Sequence, residues 1–158
     1  MKLEQSVEIP APVEEVWAFL MDVPAVATCV PGVETLEQRG DDLYGGVLRV
    51  AIGPIVVHLE GQLEVTERDA IQRRAQMRAD ATDHRVRGGV TATMSMTLTP
   101  TDGGATAMGV ETDAVVLGRL GEFGQPIIRR KADQIMAEFA RRLTDRMAAA
   151  DPTLIREE

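Results

Sequence analysis

The segment VTATMSMTLT, Val90 to Thr99, alternates without a fault. Val90, Ala92, Met94, Met96 and Leu98 fall on one side, and a run of threonines with Ser95 falls on the other. Period two marks a strand with one buried and one solvated face, and threonine suits the exposed one. With that strand fixed, its neighbours follow. TDGG, Thr101 to Gly104, is a hairpin turn. ATAMGVETDAVVL then returns with Met108, Val110, Ala114 and Val116 inward. Upstream, YGGVLRVAI points Tyr44, Leu48, Val50 and Ile52 one way. After the Gly53-Pro54 turn, IVVHLEGQLEVTE points Ile55, Val57, Leu59, Leu63 and Val65 inward. IQRRAQMRA is a weaker strand with Ala75, Met77 and Ala79 on its apolar side.

Two other patterns complete the order. KLEQSVEI alternates at the N-terminus, and PAPVEEVWAFLMD switches to helical period, with Val13, Val16, Trp17 and Leu20 in one stripe. Pro24 opens a second short helix, which Pro31-Gly32 closes. From about Gly118 to Ala148 a broad stripe runs Leu120, Phe123, Ile127, Ala132, Ile135, Phe139, Leu143, Met147. Pro126 should start the main body of that helix or kink it. The order is strand, two short helices, six strands, long helix. Tight turns between successive strands make the sheet antiparallel. Its apolar face needs a cover, and only the last helix is long enough. The chain reads as one α+β domain over residues 1–150 with a tail at 151–158, and a curved sheet gripping a single helix leaves a cavity between them.

Composition narrows the function. The net charge of −8 argues against a nucleic-acid binder, which needs a basic footprint. Residues 1–43 carry a net of −7, whereas 125–150 carry +3 through Arg129, Arg130, Lys131, Arg141, Arg142 and Arg146. Such a helix either presents a solvated face or touches an anionic surface. Aromatic residues are only five, against eight methionines, which suit either an irregular core or an adaptable pocket. The single cysteine, Cys29, forms no internal disulfide, and no signal core or apolar membrane span is visible. These features fit a cytoplasmic protein.

No catalytic constellation stands out. His58 alternates outward, and His84 lies in DATDH with Asp80 and Asp83, in a charged segment Asp80 to Gly89 expected to be a solvated loop, at a spacing that matches no strong metal motif. No glycine-rich phosphate loop is present, and no serine has a recognised histidine and acid partner. The inward polar residues are mainly Thr106 and Thr112, and no titratable group is expected on the inner strand faces. Asp22, Glu34 and Glu37 surround Cys29 with the wrong charge for a reactive thiolate, so it is expected to be a small buried hydrophobe.

The element order resembles the helix-grip fold of the START-like, birch-pollen-allergen and polyketide-cyclase superfamily. Locally, Ile9 to Pro12 (IPAP), Val16 to Leu20 (VWAFL) and Cys29, Pro31, Gly32 and Leu36 (C-x-PG, then leucine) resemble the opening of the CoxG family of carbon monoxide dehydrogenase accessory proteins. YGGVLRVAIGPI and ADQIMAEFARRL match in pattern too. The resemblance implies a non-catalytic accessory protein linked to molybdenum hydroxylase subunits. It also implies an apolar ligand, a respiratory quinone or lipid, and a peripheral place on the inner face of the cell membrane. No covalent cofactor is expected. Many members continue into an anchoring extension; this chain stops soon after its helix, so stable self-anchoring is not expected. A polyketide-cyclase or aromatase-like enzyme, or a pure adaptor with a collapsed core, are the alternatives on the same fold. The expected lining comprises Leu48, Val50, Val57, Leu59, Met77, Met94, Met96, Met108 and Val110, with Thr106 or Thr112 orienting the ligand and Phe123 and Ile127 at the helix-side mouth.

Overall fold

A computed structural model describes residues 1–150; the tail expected at 151–158 lies outside the described residues. Seven strands form one antiparallel sheet: β1 (Lys2–Ile9), β2 (Val33–Gln38), β3 (Leu43–Ile52), β4 (Ile55–Asp69), β5 (Arg74–Asp83), β6 (Gly88–Pro100) and β7 (Thr106–Gly118). Their order is β1-β7-β6-β5-β4-β3-β2, so each strand from β2 to β7 sits beside its sequence neighbour and β1 closes the far edge. Two short helices, α1 (Val13–Leu20) and α2 (Val23–Ala27), follow β1. A 3-10 turn (Arg119–Phe123) and the long helix α3 (Gln125–Ala150) follow β7. This is the helix-grip arrangement.

Local chemistry explains the joints. The Asp22 carboxylate accepts from Ala25 N (3.3 Å) and caps α2, with Pro24 in its first turn. Gly32 adopts φ +91°, and a Cβ there would stand 2.1 Å from the Arg49 carbonyl oxygen, so only glycine lets β2 approach β3 at that point. Gly61 meets β5 so closely that a Cβ would lie 1.9 Å from the Asp80 carbonyl. Register shifts at Val33/Thr35 and Val65/Glu67 add bends of the kind a curved sheet needs.

Two sequence expectations change. The helix expected from about Gly118 is interrupted by Gly124 at φ +87°, and α3 proper begins at Gln125. It spans 26 residues, about 39 Å at 1.5 Å per residue. The charged segment Asp80–Gly89 is mostly strand: β5 runs on through Asp83, β6 starts at Gly88, and only His84–Arg87 turn.

The core is one-sided. Ile9, Val16, Trp17, Cys29, Met96, Leu98, Met108 and Val110 pack with Phe139, Leu143 and Met147 from the C-terminal half of α3. A smaller cluster joins Val23 of α2 to Tyr44 and Val65 of β3 and β4. The first cluster lies toward the end of the sheet closed by the short helices, and the second reaches along β3 and β4 to Tyr44 and Leu63. Burying each large side chain there contributes about 1.5–3 kcal/mol.

A candidate ligand-binding hollow between sheet and helix

Register lays the inner face out in rows. One row reads Leu3, Thr112, Met94, Met77 and Val65, from β1 across to β4. The next row toward the open end reads Ala114, Ala92, Ala79, Leu63 and Tyr44. Beyond it come Val116, Val90, Ala81, Gly61 and Gly46. Two adjacent rows are therefore floored largely by alanine and glycine. These side chains are too short to reach across to a covering helix.

The helix shows the same gap from the other side. Its inward stripe runs Ile128, Ala132, Ile135, Phe139, Leu143, Met147. Phe139, Leu143 and Met147 are buried, whereas Ile128, Ala132 and Ile135 are only half-buried. One continuous apolar face is thus packed in its lower half and incompletely covered in its upper half. α3 makes its repeated close backbone approaches to β1 and to the 3-10 turn, not to the middle strands. The floor is correspondingly half-exposed at Ala79, Ala81, Val90, Ala92 and Val116.

The expected lining residues divide by depth. Leu48, Leu59, Met77, Met94 and Thr112 are half-buried, and Met77, Met94 and Thr112 are cross-strand neighbours. Val50 and Val57 are buried on the β3–β4 wall and face each other. Met96, Met108 and Val110 sit in the packed core beneath, because α1 and the lower half of α3 cover that end of the sheet. Phe123 lines the mouth, whereas Ile127, in the first turns of α3 and 42% exposed, is not part of its lining. Thr106 cannot orient a ligand: it is fully buried and donates its hydroxyl proton to Ala11 O (2.8 Å).

The mouth is a concavity of about 440 Å³ formed by Ile55, Val86, Arg119, Glu122 and Phe123. A larger depression, about 550 Å³, lies on the opposite side of the sheet among Glu4, Ser6, Arg74, Ser95, Thr97 and Glu111. Its walls are charged and hydroxylic, which does not suit an apolar ligand. The mouth concavity has a size appropriate to small-molecule sites, and Ile55, Val86 and Phe123 give it apolar walls.

One buried charge departs from the expectation of an inner face free of titratable groups. Alternation places Asp83 inward and Asp80 outward, and Asp83 is only 3% exposed. Its carboxylate accepts from His58 N (2.6 Å), Arg85 N (2.7 Å) and Val86 N (3.1 Å). Burial alone pushes a carboxyl pKa up. The three N–H groups, aided by the nearby His58 imidazole, outweigh that and hold Asp83 below the usual carboxylate range. The group is a staple between β4 and the β5–β6 turn, and its oxygens are already engaged. Asp80 and Asp83 on opposite faces cannot converge with His84, and among the described residues no cluster of three His, Cys, Asp or Glu side chains could hold a metal ion. The His58 Nε2 lies 3.5 Å from Glu34 on the half-exposed outer side.

The basic helix is largely occupied with its own fold. Arg141 and Arg142 pair with Glu138, and the Arg141 hydrogen bond leads the causes that hold that carboxyl low. Arg129 donates to Lys2 O (2.7 Å). Arg146 donates to Thr28 Oγ1 (2.6 Å) and lies over the Phe19 ring at 5.4 Å. No helix among the described residues is long and apolar enough to cross a membrane.

Comparison with known proteins agrees with this architecture. Residues 1–148 match the family model described as polyketide cyclase / dehydrase and lipid transport. A conserved protein from Geobacillus kaustophilus superposes with a TM-score of 0.87 at 25% identity, covering 95% of this chain and 97% of that one. The ZhuI aromatase/cyclase from Streptomyces sp. R1128 gives 0.67 at 17% identity, covering 93% of both chains. A START superfamily protein from Mycobacterium smegmatis gives 0.66 at 15% identity, covering 95% of this chain and 99% of that one. No curated protein sequence matches. With a helix-grip sheet and a family match spanning almost the whole described chain, this protein belongs to the polyketide cyclase / dehydrase and lipid transport family.

Proposed function

We propose that this chain is a non-catalytic carrier that holds one apolar molecule, a respiratory quinone or lipid, between the upper half of α3 and the small-residue floor. The observation that carries the reading is the stripe on α3, packed at Phe139 and Leu143 but half-bare at Ile128 and Ile135. A ligand completing that contact gains about 25 cal/mol for each Å² of apolar surface removed from water. Met77 and Met94 supply adaptable walls, and the half-buried Thr112 hydroxyl between Leu3 and Met94 is placed to donate to a carbonyl. Asp83 supports carriage over proton transfer, because three backbone donors already hold its charge.

The proposed partner is what the resemblance of the N-terminal segment to the CoxG family implies. Ile9 to Pro12, Val16 to Leu20 and Cys29, Pro31, Gly32 and Leu36 support a role beside a carbon monoxide dehydrogenase-type molybdenum hydroxylase, coupling or recruiting it to the inner face of the cell membrane. A second reading, an aromatase or cyclase acting on an apolar substrate, draws support from the likeness to the Streptomyces aromatase/cyclase. Native mass spectrometry of the purified protein, before and after solvent extraction and quinone addition, separates the two when joined to turnover assays. Uptake of one quinone without turnover supports the carrier. Turnover of a polyketide substrate that falls on Thr112→Val supports the enzyme, and absence of both uptake and co-purified lipid removes the carrier.

A further inference from the structure

The mouth carries a surface that ligand entry alone does not require. Ile55 opens β4 at the hairpin tip and is 41% exposed, and Ile127 is 42% exposed in the first turns of α3. Val86, at the tip of the β5–β6 turn, and Phe123 line the same concavity as Ile55. Ile55, Val86 and Phe123 come from three separate segments yet converge on one concavity, and Ile127 follows Phe123 by four residues at the start of α3. An exposed apolar cluster built from several loops marks an interaction site.

Its charge is opposite to that of the protein. Arg85 and Arg87 flank Val86, and Arg119 is fastened beside them by its backbone N–H to Arg87 O (3.2 Å). All three are exposed. Among the described residues none of them forms an ion pair, a state they share with Arg49, Arg74, Arg78, Arg129, Arg130 and Arg146. Glu122 is the acid at the mouth, and the charge of Asp83 is buried against backbone donors. A chain with a net charge of −8 thus sets three exposed arginines, clustered by the β5–β6 turn and the Arg119 backbone bond, around apolar tips at one end. The Asp83 staple fixes the β5–β6 turn to β4, so the tips are presented together.

We infer that this end docks on an anionic phospholipid bilayer, with Ile55, Val86, Phe123 and Ile127 entering the headgroup boundary and Arg85, Arg87 and Arg119 meeting lipid phosphates. The inference deepens the carrier reading and rests on its membrane part. It names the mouth, rather than the basic face of α3, as the contact, so a ligand passes between bilayer and hollow without crossing water. Apolar side chains rimmed by arginine are the chemistry of interfacial binding, and each basic residue near an anionic surface strengthens it about fivefold.

The test is vesicle flotation with phosphatidylcholine alone and with phosphatidylcholine mixed with phosphatidylglycerol, at low and at physiological salt. The wild type should float with the anionic vesicles and release as salt rises. Arg85→Gln, Arg87→Gln and Arg119→Gln should each weaken binding about fivefold at low salt, and Ile55→Gln should weaken it at both salts. Arg141→Gln with Arg142→Gln should leave it unchanged. Thermal melts followed by Trp17 fluorescence check that each variant folds. Equal binding to neutral vesicles, no binding, or loss only in the α3 variants overturns the inference. So does a concentration-dependent dimer that Ile55→Gln abolishes, because the face is then covered by a second copy. Quinone uptake from detergent solution, measured on the same variants, keeps the two ideas apart. Uptake without flotation removes only the docking surface, and flotation without uptake removes only the carrier.

Discussion

Replacing Ala92 by leucine asks whether the space above the sheet is open. Ala92 lies between Ala79 and Ala114 on the inner face and is half-exposed. Leucine adds roughly three methylene-sized groups, each worth about 0.8 kcal/mol when buried. Against an open hollow they find room and partial cover beneath Ile128 and Ile135, for a net gain of about 1 kcal/mol. The same insertion into a filled core costs about 1–3 kcal/mol. Ala75 provides the contrast: it is on the same face of β5 as Ala79 but only 7% exposed, inside the packed cluster. Ala75→Leu should therefore destabilise while Ala92→Leu should not. Urea denaturation gives the free energies, and each kcal/mol moves the melting temperature by about 2–4 °C for a domain of this size. Ala92→Leu should also reduce uptake of the apolar ligand. Equal destabilisation by the two substitutions would mean that the upper face is packed, and the reasoning from half-burial would be wrong.

Asp83→Ala leaves the N–H groups of His58, Arg85 and Val86 without their acceptor and should cost about 3 kcal/mol, whereas Asp83→Asn keeps one oxygen and should cost about half of that, both read by denaturation. Because the folded carboxyl is held low, its contribution is complete above the unfolded value of about 4 and is lost as pH falls through the folded value. The difference between wild type and Asp83→Asn should therefore be full at neutral pH and shrink in acid. Thr106→Val removes the hydroxyl bond to Ala11 O at a fully buried position and should lower stability by about 1–2 kcal/mol with ligand uptake unchanged. Cys29→Ala should cost about 1 kcal/mol and leave uptake intact; a functional loss at unchanged stability would reveal a working thiol.

Strand alternation made the sheet legible because period two reports directly which side chains share a face. It does not report depth. Met94 and Met96 are two residues apart on the same face of β6, yet Met94 borders the hollow and Met96 is core. What separates them is the path of α1 and the lower half of α3, a tertiary fact with no trace in the strand itself. The floor was visible as inward alanines at 79, 92 and 114, but a small residue denotes a cavity only when the opposite element stands off. Asp83 was hidden for a related reason. An acidic run next to His84 reads as a loop, and the donors that let the strand continue come from β4 and from the turn beyond it. The mouth brings Ile55, Val86 and Phe123 together from three separate segments, which no local pattern announces. Gly124 was missed as well: the apolar stripe runs across it, and its positive φ explains why α3 starts later than the stripe.

The central claim is that an apolar molecule completes the half-covered face between α3 and the sheet. Titration calorimetry of a short-chain quinone into the lipid-stripped protein, repeated at several temperatures, measures it directly. The account predicts saturation at one ligand per chain, a negative heat-capacity change from apolar burial, and loss of binding in Ala92→Leu. Absence of saturable binding, or binding with no heat-capacity change and full affinity in Ala92→Leu, would contradict it.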